Sequence, residues 1–158
     1  MDRITNGEGN NSLRDNWVTP DTIFNKLNNQ YSFNFDCCAS FKNKKCESFS
    51  SDFETVSVIE KTAWMNPPFS KARTMFEHFF KVVNAGVAIY RCDNMETELW
   101  QDTILPNVSW VFVFKGRINY IGDKKTGARF PSALIGINVL PPINLEGTVF
   151  KNKIRIKT

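Results

Sequence analysis

Apolar and polar positions follow two rhythms along this chain, and the rhythm changes several times. Thr19-Pro20-Asp21 opens a helical segment in which Ile23, Phe24 and Leu27 fall at three-to-four-residue spacing, ended by Asn28-Asn29. Thr19 is expected to cap it, with Pro20 at the first helical position, where a missing N–H costs nothing. Phe33 and Phe35 then alternate with polar neighbours, as in a strand ending near Asp36. Residues 40–57 are polar, punctuated by Phe41, Phe49 and Phe53, and read as a long loop with one short helix.

A short strand over 62–65 runs into Asn66-Pro67-Pro68-Phe69-Ser70. Two consecutive prolines continue neither a helix nor a sheet ladder, so this is a stiff loop at a strand end. A helix is predicted over 71–84, with Met75, Phe76, Phe79, Phe80 and Val83 on one face and Gly86 as its terminator. Residues 87–90 read as a buried strand and 96–103 as a second helical stretch. Segments 109–114, 118–121, 133–139 and 148–156 read as strands. Helices alternating with strands early and strands alone later predict an α/β fold: a mixed sheet, parallel in the middle with antiparallel edge strands, flanked by helices.

Composition narrows this to one globular domain over 15–158 behind a polar N-terminal arm, 1–14. The chain has 158 residues, 42% hydrophobic and 23% charged, without an apolar run approaching the roughly 20 residues of a membrane span. No apolar h-region stands at the N-terminus, so we expect no signal peptide, a cytoplasmic location and no membrane partner. Cys37, Cys38, Cys46 and Cys92 are then expected as thiols, and their spacing is not that of a zinc site, so no metal is expected. Fourteen Phe and four Trp must mostly build the core of so small a domain.

The chemistry concentrates in Asn66-Pro67-Pro68-Phe69. An exocyclic amine on a nucleobase is a poor nucleophile, because its lone pair is delocalised into the ring. The Asn66 side-chain oxygen and the Pro67 carbonyl are two acceptors that would bind both amine protons and localise that lone pair. Pro67 and Pro68 keep the pair stiff, and Phe69 offers a plate on which a base rotated out of a duplex would stack. A sulfonium methyl donor opposite would be attacked in line. The plain alternative is a turn followed by a core aromatic, but strand–loop–helix is where open α/β sheets bind ligands.

Several segments now match a family in order: Asn16-Trp17-Val18-Thr19-Pro20, Phe35-Asp36-Cys37-Cys38-Ala39-Ser40 and Trp64-Met65-Asn66-Pro67-Pro68-Phe69-Ser70. Thr97-Glu98-Leu99-Trp100, Gly116-Arg117-Ile118 and Phe130-Pro131-Ser132-Ala133 follow. Over roughly 15–138 the chain resembles the phage-type DNA adenine-N6 methyltransferases, relatives of Dam. The resemblance implies a Rossmann-like methyltransferase domain with S-adenosylmethionine as cofactor and double-stranded DNA, with a flipped adenine, as partner. It implies an enzyme of a phage, acting in the host cytoplasm to mark its own DNA against restriction. Asn66, Pro67, Pro68 and Phe69 would be catalytic. Trp17, Thr19 and Pro20 would enclose the cofactor, with Asp36, Cys38, Ala39 and Ser40 after the first strand and Asp52 as an acidic contact to its adenosine. The chain departs from many methyltransferases in having no glycine between Asp36 and Ser40.

The net charge of +4 makes placement matter more than size. Lys124, Lys125 and Arg129 fall in the Gly-punctuated loop 122–129, expected with Arg117 to contact DNA. Lys151, Lys153, Arg155 and Lys157 occupy alternate positions of the last strand, as a phosphate-tracking row or as a solvated edge. Two other functions fit parts of the pattern: a methyltransferase for protein glutamine amides, and a nucleic-acid-binding module on a catalytically weak or inactive methyltransferase fold.

Overall fold

The computed structural model describes residues 15, 17–122 and 130–152. Helix α1, Asp21–Tyr31, starts one residue later than the Thr19 cap would place it. Pro20 is extended at ψ 138° and itself stands at the cap position, its carbonyl accepting the N–H groups of Ile23 and Phe24. Thr19 is buried, and its hydroxyl caps nothing. The helix outlasts Asn28-Asn29 because Ser32 turns left-handed (φ 54°) and returns its N–H to Asn28 O, while the Asn28 side chain takes the Phe33 N–H.

Strand β1 is short, Phe35–Asp36, and lies between two parallel neighbours. One is β2, Ser48–Phe49, inside what the sequence presents as loop. A 3₁₀ turn, Phe53–Thr55, follows it, and then β3, Ile59–Met65, which starts three residues before the predicted strand. The helix predicted over 71–84 divides into a 3₁₀ turn, Phe69–Lys71, and α2, Ala72–Val82. Strand β4, Val83–Arg91, begins at once. Gly86 therefore does not end the helix. It lies within β4, where an added Cβ would stand 2.5 Å from Ala63 O, so a bare backbone lets β3 and β4 close up.

The second helical stretch is a π-helical segment, Leu99–Ile104. Then come β5, Trp110–Phe114, β6, Ser132–Ile137, and β7, Gly147–Lys151. Residues 118–121 do bury Ile118 and Tyr120 alternately, but among the described residues their backbone forms an isolated bridge, Val18 with Ile121, in place of the predicted strand. The sheet order is β2-β1-β3-β4-β6-β5-β7. The first four strands are parallel and the last three join antiparallel, which is the expected mixed sheet, with the parallel part reaching one edge.

Each face of the sheet carries a core. On one, Met75, Phe76, Phe79 and Val82 of α2 pack over Met65, Ala88 and Ile135. On the other, Phe24 and Leu27 of α1 pack with Phe33, Trp64 and Phe112. Phe76 and Phe79 are fully buried, and truncating either would cost about 3–5 kcal/mol. From β1 the chain runs to β2 on one side and then crosses to β3 on the other. That reversal leaves the carboxyl ends of β1 and β3 open together, the point where α/β sheets take ligands.

Candidate active site

At that opening a cavity of about 280 Å³ is lined by Asp15, Cys38, Ala39, Ser40, Asp52 and Asn66, among others. A smaller one of about 30 Å³ adjoins it, bounded by Trp17, Thr19, Asp36 and Lys45, and again by Cys38 and Asn66. Residues from the ends of β1, β2 and β3 thus share one mouth.

Asn66 follows β3 directly, and its Nδ2 donates to the Trp17 carbonyl at 3.1 Å. A carbonyl only accepts, so the amide nitrogen must face Trp17 and the oxygen is the end left for a ligand. Among the described residues the buried Pro67 carbonyl takes no backbone hydrogen bond, whereas that of Pro68 is used by the Lys71 N–H. The loop is braced again at Ser70, whose N–H and hydroxyl both donate to the Asp15 carboxylate. Residues 15 and 17 therefore strap both ends of the Asn66–Ser70 loop.

Phe69 is half-buried and lies outside both cavity linings. Its ring is wedged among Phe130 (5.4 Å between centroids), Tyr90 (5.5 Å) and Trp17 (6.4 Å). Three aromatic neighbours make it a fixed plate rather than a swinging side chain.

Asp36 is the most unusual group. It is 2% exposed, and burial pushes its carboxyl up to about 6, against the opposing pull of the Lys45 and Cys38 backbone N–H groups and of the Lys45 charge. Lys45 N–H reaches Oδ2 at 2.9 Å, while Oδ1 has no hydrogen-bond partner among the described residues. The buried Thr19 hydroxyl beside the same small cavity also has none. Burial, with the Asp36 charge second, holds the Cys38 and Cys46 thiols above their usual range, so neither is a thiolate nucleophile.

The expected residues separate into groups. Trp17, Thr19, Asp36, Cys38, Ala39, Ser40, Asp52, Asn66 and Pro68 meet at the two cavities; Pro20 instead starts α1. Arg117 lies elsewhere, close enough to Asp93 to hold its carboxyl down. Lys124, Lys125 and Arg129, with Lys153, Arg155 and Lys157, lie outside the described residues. Asp15, Asn43, Lys45 and Lys71 also reach the cavities, although no spacing in the sequence marks them. Among the described residues no group of His, Cys, Asp and Glu is arranged to hold a metal, and no helix is long and apolar enough to cross a membrane.

A family model described as DNA N-6-adenine-methyltransferase (Dam) matches residues 7–136. The chain belongs to the Dam family. Among curated proteins, none matches it. Dam-family activity is methylation of adenine in DNA, with S-adenosylmethionine the family's cofactor. The residues of this Dam-family chain fit that cofactor. Among the described residues two buried oxygens at the small cavity, Asp36 Oδ1 and Thr19 Oγ1, lack partners, and Asp52 and Glu54 bring carboxylates to the larger one. A ligand carrying a cationic centre, hydroxyls and an amine would satisfy these groups.

Proposed function

We propose that this chain transfers a methyl group from S-adenosylmethionine to N6 of an adenine rotated out of a DNA duplex. Asp36, Thr19 and the 38–40 backbone would hold the cofactor at its charged end, with Asp52 taking its sugar hydroxyls. When bound, the cofactor supplies an electrophilic methyl carbon on a sulfonium sulfur. Asn66 Oδ1 and the Pro67 carbonyl accept the two N6 protons, which draws the nitrogen towards tetrahedral geometry and localises its lone pair. When the new N–C bond formed, the electrons of the old C–S bond would stay with the departing cofactor, and the nitrogen would release one of those protons to water, since Asn66 Oδ1 and the Pro67 carbonyl are too weakly basic to hold it. Phe69, immobilised by its aromatic neighbours, fixes the base plane.

The observation that carries this reading is the forced orientation of Asn66: its nitrogen is tied to Trp17 O, so its acceptor is set before any base arrives. The test is methyl incorporation from labelled S-adenosylmethionine into unmethylated duplex DNA, with the modified base mapped. N6-methyladenine formed by wild type and not by Asn66→Ala supports it. Cofactor binding without any DNA methylation overturns it, and absence of cofactor binding would leave a nucleic-acid-binding module.

A further inference from the structure

The loop that carries Asn66 opens a helix that brings no cap of its own. Pro68 stands at the cap position of the 3₁₀ turn Phe69–Lys71 and Lys71 at that of α2, and neither side chain makes a capping hydrogen bond. A helix start leaves N–H groups without an acceptor, and a side-chain oxygen just before the helix normally takes one. Ser, Thr, Asp or Asn at position 68 would do so, but the second proline of the stiff loop excludes it. The acceptor comes instead from another part of the chain. Asp15 Oδ1 takes the Ser70 N–H at 2.9 Å, and Oδ2 takes the Ser70 hydroxyl. A carboxylate at this place also suits the positive end of the helix dipole.

The neighbours of Asp15 make two further ties. Trp17 O accepts from Asn66 Nδ2 at 3.1 Å, and Val18 exchanges both backbone hydrogen bonds with Ile121, at 2.9 and 2.8 Å. Residues 15 and 18 are thus anchored on either side of residue 17, one to Ser70 and the other to Ile121. Successive Cα atoms are about 3.8 Å apart, so two fixed points this close along the chain leave the Trp17 carbonyl little room to move. That carbonyl matters because an Asn amide can be turned over. Turned over, Asn66 would offer its nitrogen to an incoming amine and set its oxygen against the Trp17 oxygen, two acceptors face to face. The placing of the Trp17 carbonyl therefore decides which end of Asn66 is presented.

We propose that Asp15 is a positioning residue: by capping Ser70 it holds the Trp17 carbonyl in place, and through that carbonyl it sets the amide of Asn66. The coupling stands on these contacts, while its consequence for rate rests on the proposed DNA methylation. The competing anchor is the Trp17 ring, which stacks with Tyr120 and Phe130 at 5.9 and 6.2 Å between centroids.

Hydrogen exchange in the free, isotope-labelled full chain, followed by nuclear magnetic resonance, reads the coupling before cofactor or DNA is added. Asp15→Ala should speed exchange at the Ser70 N–H and at the Asn66 side-chain amide together, while the amides of β4 exchange as in wild type. Asp15→Asn keeps an acceptor for Ser70 and should restore both. Asp15 also lines both cavities, so methyl transfer is compared at saturating cofactor. There Asp15→Ala should lose about 10-fold or more in kcat, with KM for DNA changing less, and Asp15→Asn should recover most of that rate. Faster exchange at Ser70 with Asn66 unchanged overturns the proposal and leaves the Trp17 ring as the anchor. Exchange that rises equally throughout β4 overturns it as well, since the loss is then one of fold stability. Should Asp15→Ala fail to fold, Ser70→Ala decides, because it removes one of the two bonds to Asp15 and Ser70 lies outside both cavity linings. Asn66 exchange equal to wild type in that variant overturns the coupling. Coupled exchange with kcat at the wild-type level overturns the positioning role. A wild type that methylates no DNA overturns the proposed function instead, and exchange then decides the coupling of Asp15 to Asn66 by itself.

Discussion

Two aspartates at the same edge of the sheet have been driven in opposite directions. Asp36, at the end of β1, is buried with one oxygen unpartnered among the described residues, and burial raises its carboxyl to about 6. Asp93, just beyond β4, is gripped by Arg91, and its carboxyl is lowered. The first is a buried charge that Lys45 and the Cys38 N–H compensate only in part, and a cationic ligand would relieve it further. The second is spent inside the protein, in a two-pronged pair with Arg91. The two ends therefore differ: one carboxylate is left for a positively charged cofactor and the other is closed into an ion pair, with Asn66 between them.

Removing the divider should have the largest effect. Asn66→Ala takes away one of two acceptors for the reacting amine, and loss of a single such group in a preorganised site costs about 10²–10³ in rate. Labelled methyl transfer should fall at least that far while calorimetric cofactor affinity changes little. Comparable losses of both would show that Asn66 supports the cofactor end rather than the chemistry.

Asp36→Asn should separate stability from binding. The folded carboxyl titrates near 6 against an ordinary value of 3.8, so the native state binds the proton more tightly. Its contribution to stability is complete below pH 3.8 and is lost as pH rises through 6, which leaves a cost of about 3 kcal/mol above that. Asparagine carries no charge to bury, so denaturant unfolding at pH 8 should show a variant more stable by up to about 3 kcal/mol, with the gain vanishing at pH 4. Cofactor affinity should drop in the same variant, and in wild type it should weaken as pH falls through 6. A variant that is no more stable at pH 8 would mean that the carboxylate is already satisfied without a ligand.

The sequence announced these two ends unequally. The Asn66-Pro67-Pro68-Phe69 loop was legible because consecutive prolines and an apolar strand leave few conformations, and α2 because its apolar face repeats over three turns. The small strands β1 and β2 were not, since a two-residue strand has no period to read and exists only through pairing with neighbours. Gly86 misled for a related reason: a glycine that ends a helix and one that admits a neighbouring carbonyl look identical until the partner strand is known. Site residues divide similarly. Asn66 and Asp36 stand at strand ends, whereas Asp15 and Lys45 reach their places only through the tertiary fold.

Phe69→Ala tests whether the plate serves a DNA base or packing alone. Its ring meets Trp17, Tyr90 and Phe130, so truncation will loosen that cluster and cost about 1–3 kcal/mol of stability. If the ring also fixes the base, KM for duplex DNA should rise or kcat fall by about 10-fold or more, in line with about 1–3 kcal/mol for a stacked base, while cofactor affinity stays near wild type. Equal losses on both sides would assign it to packing alone.

Asp93→Asn should have the smallest effect on stability, and its sign should oppose that of Asp36→Asn. A lowered carboxyl stabilises the fold above its unfolded value and loses that contribution as pH falls through the folded one, so the variant should be less stable at pH 7 than wild type and equal to it in strong acid. Because the pair is partly solvent-facing, the difference should be at most about 1 kcal/mol. A fall of several kcal/mol at pH 7 would mean that the Arg91–Asp93 pair is a structural clasp stronger than a partly exposed pair should be.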